Sequence, residues 1–481
     1  MPLRYNEIRE RRERSAVEDR RGAMRNGVYI EEGPMNFEII QQDEDGCADL
    51  TWSGYWVMNG AYESIDIYAR LLLENSGEEV YTYTGCEISG DRWSVTLRVP
   101  AGGLYKFETG LCVNNNPAKS WNLMGDMRHF IGVGDVFVLA GQSNSAGYGL
   151  GTMQDPPMLG VHSLKFSRSW QIASHPLGDG TDAKLTESLD CSNLGNSPYI
   201  HFGKILFGRL KYPIGLVPTA LGGSPISAWN PEEDGVLYRN MLEITRKLTN
   251  GYKAVIWYQG CSEGNNKDSK GYKERFERMV SYWRKDSGKP ELSFFTAQIN
   301  KCIRSEDKEL NRHWGIVREA QRKAAADISN CYILPTTDVP LSDTIHNSSM
   351  GCLMIGERLA HQVLYYLYGI GLPFTSASLD TAEAVSTNRI RLKFTGLVGL
   401  LEPFDAPAGE LDFTVRDAQG LIGLEGYEVT ADSMILLLER DICGSCTVSC
   451  GDGIKISRTV PMDKGTYMPI LSFYEVAVEQ E

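Results

Sequence analysis

The 481-residue chain lacks any run of about 20 apolar residues, the length a membrane-spanning helix needs. It is also short of positive charge: 48 Lys and Arg against 62 Asp and Glu leave a formal charge of −14. A nucleic-acid partner is therefore not expected, because phosphates are neutralised by a basic surface. Met1 to Gly27 is rich in Arg and Glu and has no apolar core, so no secretory leader is read there and a cytoplasmic protein is expected. The 11 cysteines are odd in number and scattered, unlike the short, evenly counted scaffold of a disulfide-built secreted domain. Histidine is scarce too, with seven in the whole chain, which narrows the candidates for any imidazole chemistry.

What is present divides into segments of different texture. Residues 1–27 read as a charged arm or helix, with Arg4 to Arg25 rich in charge pairs and no binding role expected. Residues 28–130 read as a β domain. Trp93, Val95, Leu97 and Val99 alternate with Ser94, Thr96 and Arg98, the period of a strand with one wet face, and Pro100 with Gly102-Gly103 ends it. From 131 to 372, apolar runs alternate with amphipathic helices, which predicts a parallel sheet with flanking helices. Strands are expected at Val136–Ala140, Ile214–Pro218, Ala254–Tyr258, Leu292–Ile299 and Cys331–Leu334, with helices at Tyr199–Leu210, Tyr272–Trp283, Trp314–Ala325 and around Ile355–Tyr366. Residues 373–481 return to period two, as at Ile390, Leu392 and Phe394, and predict a second β-sandwich-like domain. Cys443, Cys446 and Cys450 are close enough to suggest zinc, but no fourth ligand follows, and Cys446-Thr447-Val448-Ser449-Cys450 reads as a strand with buried thiols. No metal site is assigned.

The chemistry-bearing segments lie at the ends of those strands. Gly141-Gln142-Ser143-Asn144-Ser145 follows the first, and a sharp turn there can hold a serine hydroxyl in the crevice where open α/β sheets bind ligands. A serine hydroxyl needs an adjacent base. His346, in Asp343-Thr344-Ile345-His346, is the candidate, since Asp343 can curl back to its second nitrogen. The bland alternatives are a helix-capping serine and an exposed histidine. Gly222-Gly223-Ser224-Pro225 and Trp257-Tyr258-Gln259-Gly260, each after a strand, can supply donors to a developing oxyanion.

Together with Ile226-Ser227-Ala228-Trp229 and Arg318-Glu319-Ala320-Gln321, these segments in this order resemble the SGNH hydrolases, in the branch of sialate O-acetylesterases and related carbohydrate acetylesterases. The resemblance extends to Arg92–Tyr105 and Leu411–Val415, so most of the chain beyond its first residues is covered. It implies an SGNH-type α/β domain between two β domains, and a serine esterase that removes acetyl groups from sugars. It further implies Ser143 as nucleophile, His346 as base and Asp343 as its orienting acid. The oxyanion hole would be the N–H groups of Ser143 and Gly223 and the Gln259 side chain. Gln142, Asn144, Trp229 and Glu263 are the candidate substrate contacts. Two departures from the family's pattern bear on the pocket: Ser145 stands where Met is usual, and Cys261 follows the Gln-Gly pair, with Glu263 two positions later. The expected partner is an acetylated sugar or oligosaccharide, without metal or organic cofactor, and activity should fall on the acid side as the base protonates. The sequence carries no sign of oligomeric state. The rival readings are a carbohydrate-binding protein without turnover and an esterase for non-sugar esters.

Overall fold

The computed structural model describes residues 25–115, 124–181, 183, 194–305 and 307–480. The helix expected over Arg4–Arg25 lies outside the described residues but for its last position. The chain divides into two compact units between Asp135 and Val136.

In the first unit, one antiparallel sheet runs Gly27–Glu32, Cys47–Val57, Arg92–Pro100 and Glu87–Ser89. In the other, Ile65–Leu73 pairs with Glu79–Gly85 and Gly102–Val113. The expected alternation is present: Trp93, Val95, Leu97 and Val99 are buried while Thr96 and Arg98 are exposed. Trp52 from one sheet stacks on Phe107 from the other, with ring centroids 3.8 Å apart, inside an apolar core shared by both. Two one-sided sheets thus cover each other's inner faces.

The second unit holds the parallel layer. Ala254–Tyr258 pairs in parallel with residues 137–141 on one side and with Ser293–Ala297 on the other, and Cys331–Leu334 continues that edge. On the other flank Ile214–Pro218 neighbours the 137–141 segment and pairs in parallel with Val161–Leu164. These strands are buried along their length, which is why they read as unbroken apolar runs rather than alternating ones. The chain leaves residues 137–141 for one flank and returns to the other, so the switch point lies at the end of that segment. Helices Tyr199–Leu210 and Ser349–Tyr368 bury Phe202, Leu206, Ile355, Leu359 and Val363 in a core with Phe137, Leu139 and Leu216.

The same unit contains the C-terminal sheets. One runs Ser378–Ser386, Arg389–Thr395, Ser433–Leu438 and Leu424–Val429; another runs Gly420–Ile422, Phe413–Asp417, Thr447–Cys450 and Phe473–Ala477. Cys446, Val448 and Cys450 are buried in their shared core, and burial pushes the Cys446 thiol up to about 11. These are packing thiols.

Arg318, on helix Lys308–Asp327, ties the two parts of this unit together. Its guanidinium is fully buried and donates to the carbonyls of Ile299 (3.0 Å), Asn300 (2.9 Å), Gly451 (2.7 Å) and Gly453 (2.6 Å). Burial pulls it down to about 10, so it stays charged at neutral pH. Replacing Arg318 with Met would leave the Ile299, Gly451 and Gly453 carbonyls without their donor, while Asn300 O keeps Trp314 Nε1. The expected cost is about 3–5 kcal/mol, read as a lower urea midpoint, and Arg318→Lys should recover less than half because an ammonium cannot present the fork.

Candidate active site

The turn after residues 137–141 is built by Gly141. Its φ is +125°, and a Cβ there would lie 2.2 Å from the Tyr258 carbonyl, so only glycine fits against the neighbouring strand. The chain then enters a single helical turn, Ser143–Ala146, in which the N–H groups of Ser145 and Ala146 donate to Gln142 O. The Ser143 N–H, at the first helical position, has no acceptor among the described residues.

Ser143, His346 and Asp343 meet here. His346 Nε2 lies 3.0 Å from Ser143 Oγ, and Nδ1 lies 2.7 Å from Asp343 Oδ2. Asp343 Oδ1 also accepts the N–H groups of Ile345 (2.8 Å) and His346 (2.7 Å), closing the loop that aims the ring. Burial pushes the Asp343 carboxyl up, but the N–H donors of His346 and Ile345 and the imidazole outweigh it and hold it below the usual carboxylate range. An ionised carboxylate can only accept, so Nδ1 carries the hydrogen and Nε2 faces the serine as acceptor. Ser143 is 7% exposed, and its hydroxyl is held within reach of a base.

Asn144 holds that loop in place. Its Oδ1 accepts the Asn347 N–H (2.9 Å) and its Nδ2 donates to Ile345 O (3.2 Å), gripping the backbone on both sides of His346. Asn347 is in turn fixed by Asn300 Nδ2 (2.7 Å) and by the Tyr258 hydroxyl (3.3 Å). Tyr148 stacks on the imidazole face, with centroids 4.9 Å apart and planes at 24°. Neither Tyr148 nor the two further asparagines stood out in the sequence. Their only signal is a contact with a residue far away in the chain.

The four expected substrate contacts are all buried, at 4% exposure or less, and each is bonded to protein through at least one polar atom. Gln142 Oε1 accepts the N–H groups of Gly260 (2.9 Å) and Ser262 (3.3 Å). Asn144 is the clamp just described. Trp229 packs edge-on against Trp257 and donates to Ser224 Oγ (3.1 Å). Glu263 accepts Ile226 N–H (2.7 Å) and Gln259 Nε2 (2.6 Å), and burial raises its carboxyl.

The oxyanion donors divide in the same way. The 221–224 turn is hung on the nucleophile turn by Leu221 N–H and Ser224 Oγ, both donating to Gly141 O. Gly223 sits in it at φ +67° with open space around its Cβ position, and its N–H has no acceptor among the described residues. Gln259 is fully buried, and its Nε2 donates to Ser224 O (3.2 Å) and Glu263 Oε2. Both N–H groups of that amide are thereby engaged, so it braces the turn. Ser145 likewise faces inward, with its hydroxyl on Ala140 O and Tyr199 OH.

Two measurements check these supports. Asn144→Ala should lower kcat roughly 100-fold with little change in KM and unchanged far-UV circular dichroism, the cost of misplacing a reacting group by about 1 Å. Tyr148→Leu should lower kcat about fivefold, since a tyrosine face stabilises a neighbouring cation by about 1 kcal/mol, and Tyr148→Phe should retain the unmutated kcat.

Residues 133–365 match the family model of carbohydrate esterases described as sialic acid-specific acetylesterase. A protein of Arabidopsis thaliana described as a probable carbohydrate esterase is 30% identical over 253 residues, which is 48% of this chain and 90% of that protein. Human sialate O-acetylesterase is 32% identical over 107 residues, covering 17% of this chain and 20% of the human protein. A carbohydrate acetylesterase from Xanthomonas citri shares the fold, with a TM-score of 0.66 at 20% identity, covering 92% of this chain and 99% of that one. Among the described residues, no helix is long and apolar enough to cross a membrane. The chain belongs to the carbohydrate esterases.

Proposed function

We propose that the chain hydrolyses acetyl esters on sugars by two-step acyl transfer through Ser143. Ser143 Oγ attacks the acetyl carbonyl carbon while His346 Nε2 takes the hydroxyl proton. The carbonyl electrons move onto oxygen, which is held by the N–H groups of Ser143 and Gly223. The tetrahedral intermediate collapses, the ester C–O bond breaks, and His346 returns the proton to the departing sugar oxygen. Water then attacks the acetyl-enzyme with its proton passing to Nε2. Acetate leaves, and the serine regains its hydrogen. Asp343 stays ionised throughout and stabilises the imidazolium formed in each step. Each backbone donor on the oxyanion is typically worth about 3 kcal/mol of barrier.

The observation that carries this reading is the continuous hydrogen-bonded line from Ser143 Oγ through His346 to Asp343, at 3.0 and 2.7 Å. In the same reading residues 131–372 carry the chemistry, and the β segments 28–130 and 373–481 support it. The ten described cysteines are free thiols, in keeping with a reducing, cytoplasmic compartment. In this reading the substrate is an acetylated sialic acid or a short acetylated hemicellulose oligosaccharide.

Ser143→Ala should cut turnover of 4-nitrophenyl acetate by roughly 10³-fold or more, and equal rates would overturn the nucleophile. Acetyl esters should be turned over faster than octanoyl esters. Activity should fall as pH drops and the base protonates, so a flat profile down to about pH 4 would contradict a histidine base. Acetate release from a panel of acetylated sugars, read by NMR, assigns the sugar and the hydroxyl.

A further inference from the structure

We propose that a second cleft in the catalytic unit, separate from Ser143, binds a small carboxylate with an apolar body. The cleft has a volume of about 260 Å³ and lies where the chain leaves the last parallel strand, against the C-terminal β segment. Thr337 and Asp338 line it from the strand end, Lys301 from the segment after the preceding strand, and Phe404, Ile456 and Met462 from the C-terminal segment.

Three features of this lining are unmatched by the protein itself. Lys301 carries an ammonium with three hydrogens, and its one described bond is a donation to the Thr337 carbonyl (3.2 Å). Among the described residues it forms no ion pair. The carboxylate beside it, Asp338, is held by both guanidinium nitrogens of Arg358, and the cleft's other cation, Arg458, is paired with Asp412 at 3.1 Å. The Thr337 hydroxyl is buried without a partner, and such a group calls for a ligand or water to complete it. Apart from Thr459, the remaining wall is hydrocarbon and aromatic, with Phe404 56% exposed at the edge.

A carboxylate suits this arrangement chemically. One oxygen would accept from the Lys301 ammonium and the other from the Thr337 hydroxyl, leaving the body of the molecule against Ile456, Met462 and Phe404. A neutral polar ligand would leave the ammonium uncompensated. A second cation is excluded by the charge already there. Partial burial pulls the Lys301 ammonium below the ordinary lysine range, so an anion that restores it would be favoured. The cleft also has a route to the catalytic loop, since two residues beyond Lys301 the Ile303 N–H donates to Thr344 O (2.7 Å), next to Asp343.

The test is titration of the whole protein with benzoate, with acetate and benzyl alcohol as the head-only and body-only controls, followed by ligand-observed NMR and calorimetry. Benzoate should bind saturably and more tightly than either control. Lys301→Met should weaken it about tenfold, the loss of one charge-assisted hydrogen bond, and Thr337→Val should weaken it about threefold. Both variants should keep 4-nitrophenyl acetate turnover, which shows that they are folded and that the serine site is intact. Three results would overturn the proposal: no saturable benzoate binding, affinity undiminished in Lys301→Met, or binding that survives in that variant and competes with the ester substrate. The first would identify a water-filled cleft and the last the serine site, and neither bears on whether Ser143 is the nucleophile.

Discussion

The structure of the site depends on keeping one imidazole against one hydroxyl although the two stand 203 positions apart in the chain. The constraint is met by a neutral amide. Asn144 has a donor and an acceptor on the same short side chain, so one residue can grip Ile345 O and Asn347 N–H together and fix the peptide units on either side of His346. A charged residue in that place would satisfy only one of the two and would add a field beside the His346–Asp343 pair. Because Asn144 directly follows the nucleophile, the clamp also sets the serine and the histidine loop in one frame. Any strain that moves one moves the other.

Beneath this clamp lies a layer of buried amides and one guanidinium. Parallel strands stop at the site, and their last carbonyls and N–H groups lose their ladder partners there. Gln142 takes Gly260 and Ser262, Gln321 takes Ile299 N–H and Gln259 O, and Gln298 takes Arg318 O together with both backbone groups of Ser472. Arg318 completes the layer from the opposite side. Each group satisfied this way avoids a penalty of about 1–3 kcal/mol, so these buried polar residues near Ser143 stabilise the strand ends. Removing solvent from this layer also strengthens the hydrogen bonds of the site above it.

The fold was legible where burial follows from local pattern. The strands at Ile214–Pro218, Ala254–Tyr258 and Cys331–Leu334 and the helix at Tyr199–Leu210 have the expected bounds, because each is an apolar run or an amphipathic period closed by Pro, Gly or a change of texture. The meeting of Ser143, Asp343 and His346 was legible because that chemistry needs those three types in that order of strand ends. Gln142, Asn144, Trp229 and Glu263 also bond to protein in ways the local sequence does not announce. A polar or aromatic residue beside a nucleophile looks like a ligand contact, and only the tertiary fold reveals that its partners are other strand ends. Tyr148 is the converse case, since ring stacking on His346 leaves no pattern in the local sequence.

The displaced acid after the Gln-Gly pair shows how such a layer absorbs sequence change. Cys261 takes the position next to Gly260 and is buried, with burial pushing its thiol up to about 12, so it is neutral and serves as packing. Glu263 follows in the same single turn, Cys261–Gly264, and its side chain reaches back to Gln259 Nε2 at 2.6 Å and across to Ile226 N–H at 2.7 Å. Those two bonds join the end of the Ala254–Tyr258 strand to the residues just after the Gly222-Gly223 turn. A carboxylate there engages the Gln259 amide, which also donates to Ser224 O and so joins the two turns.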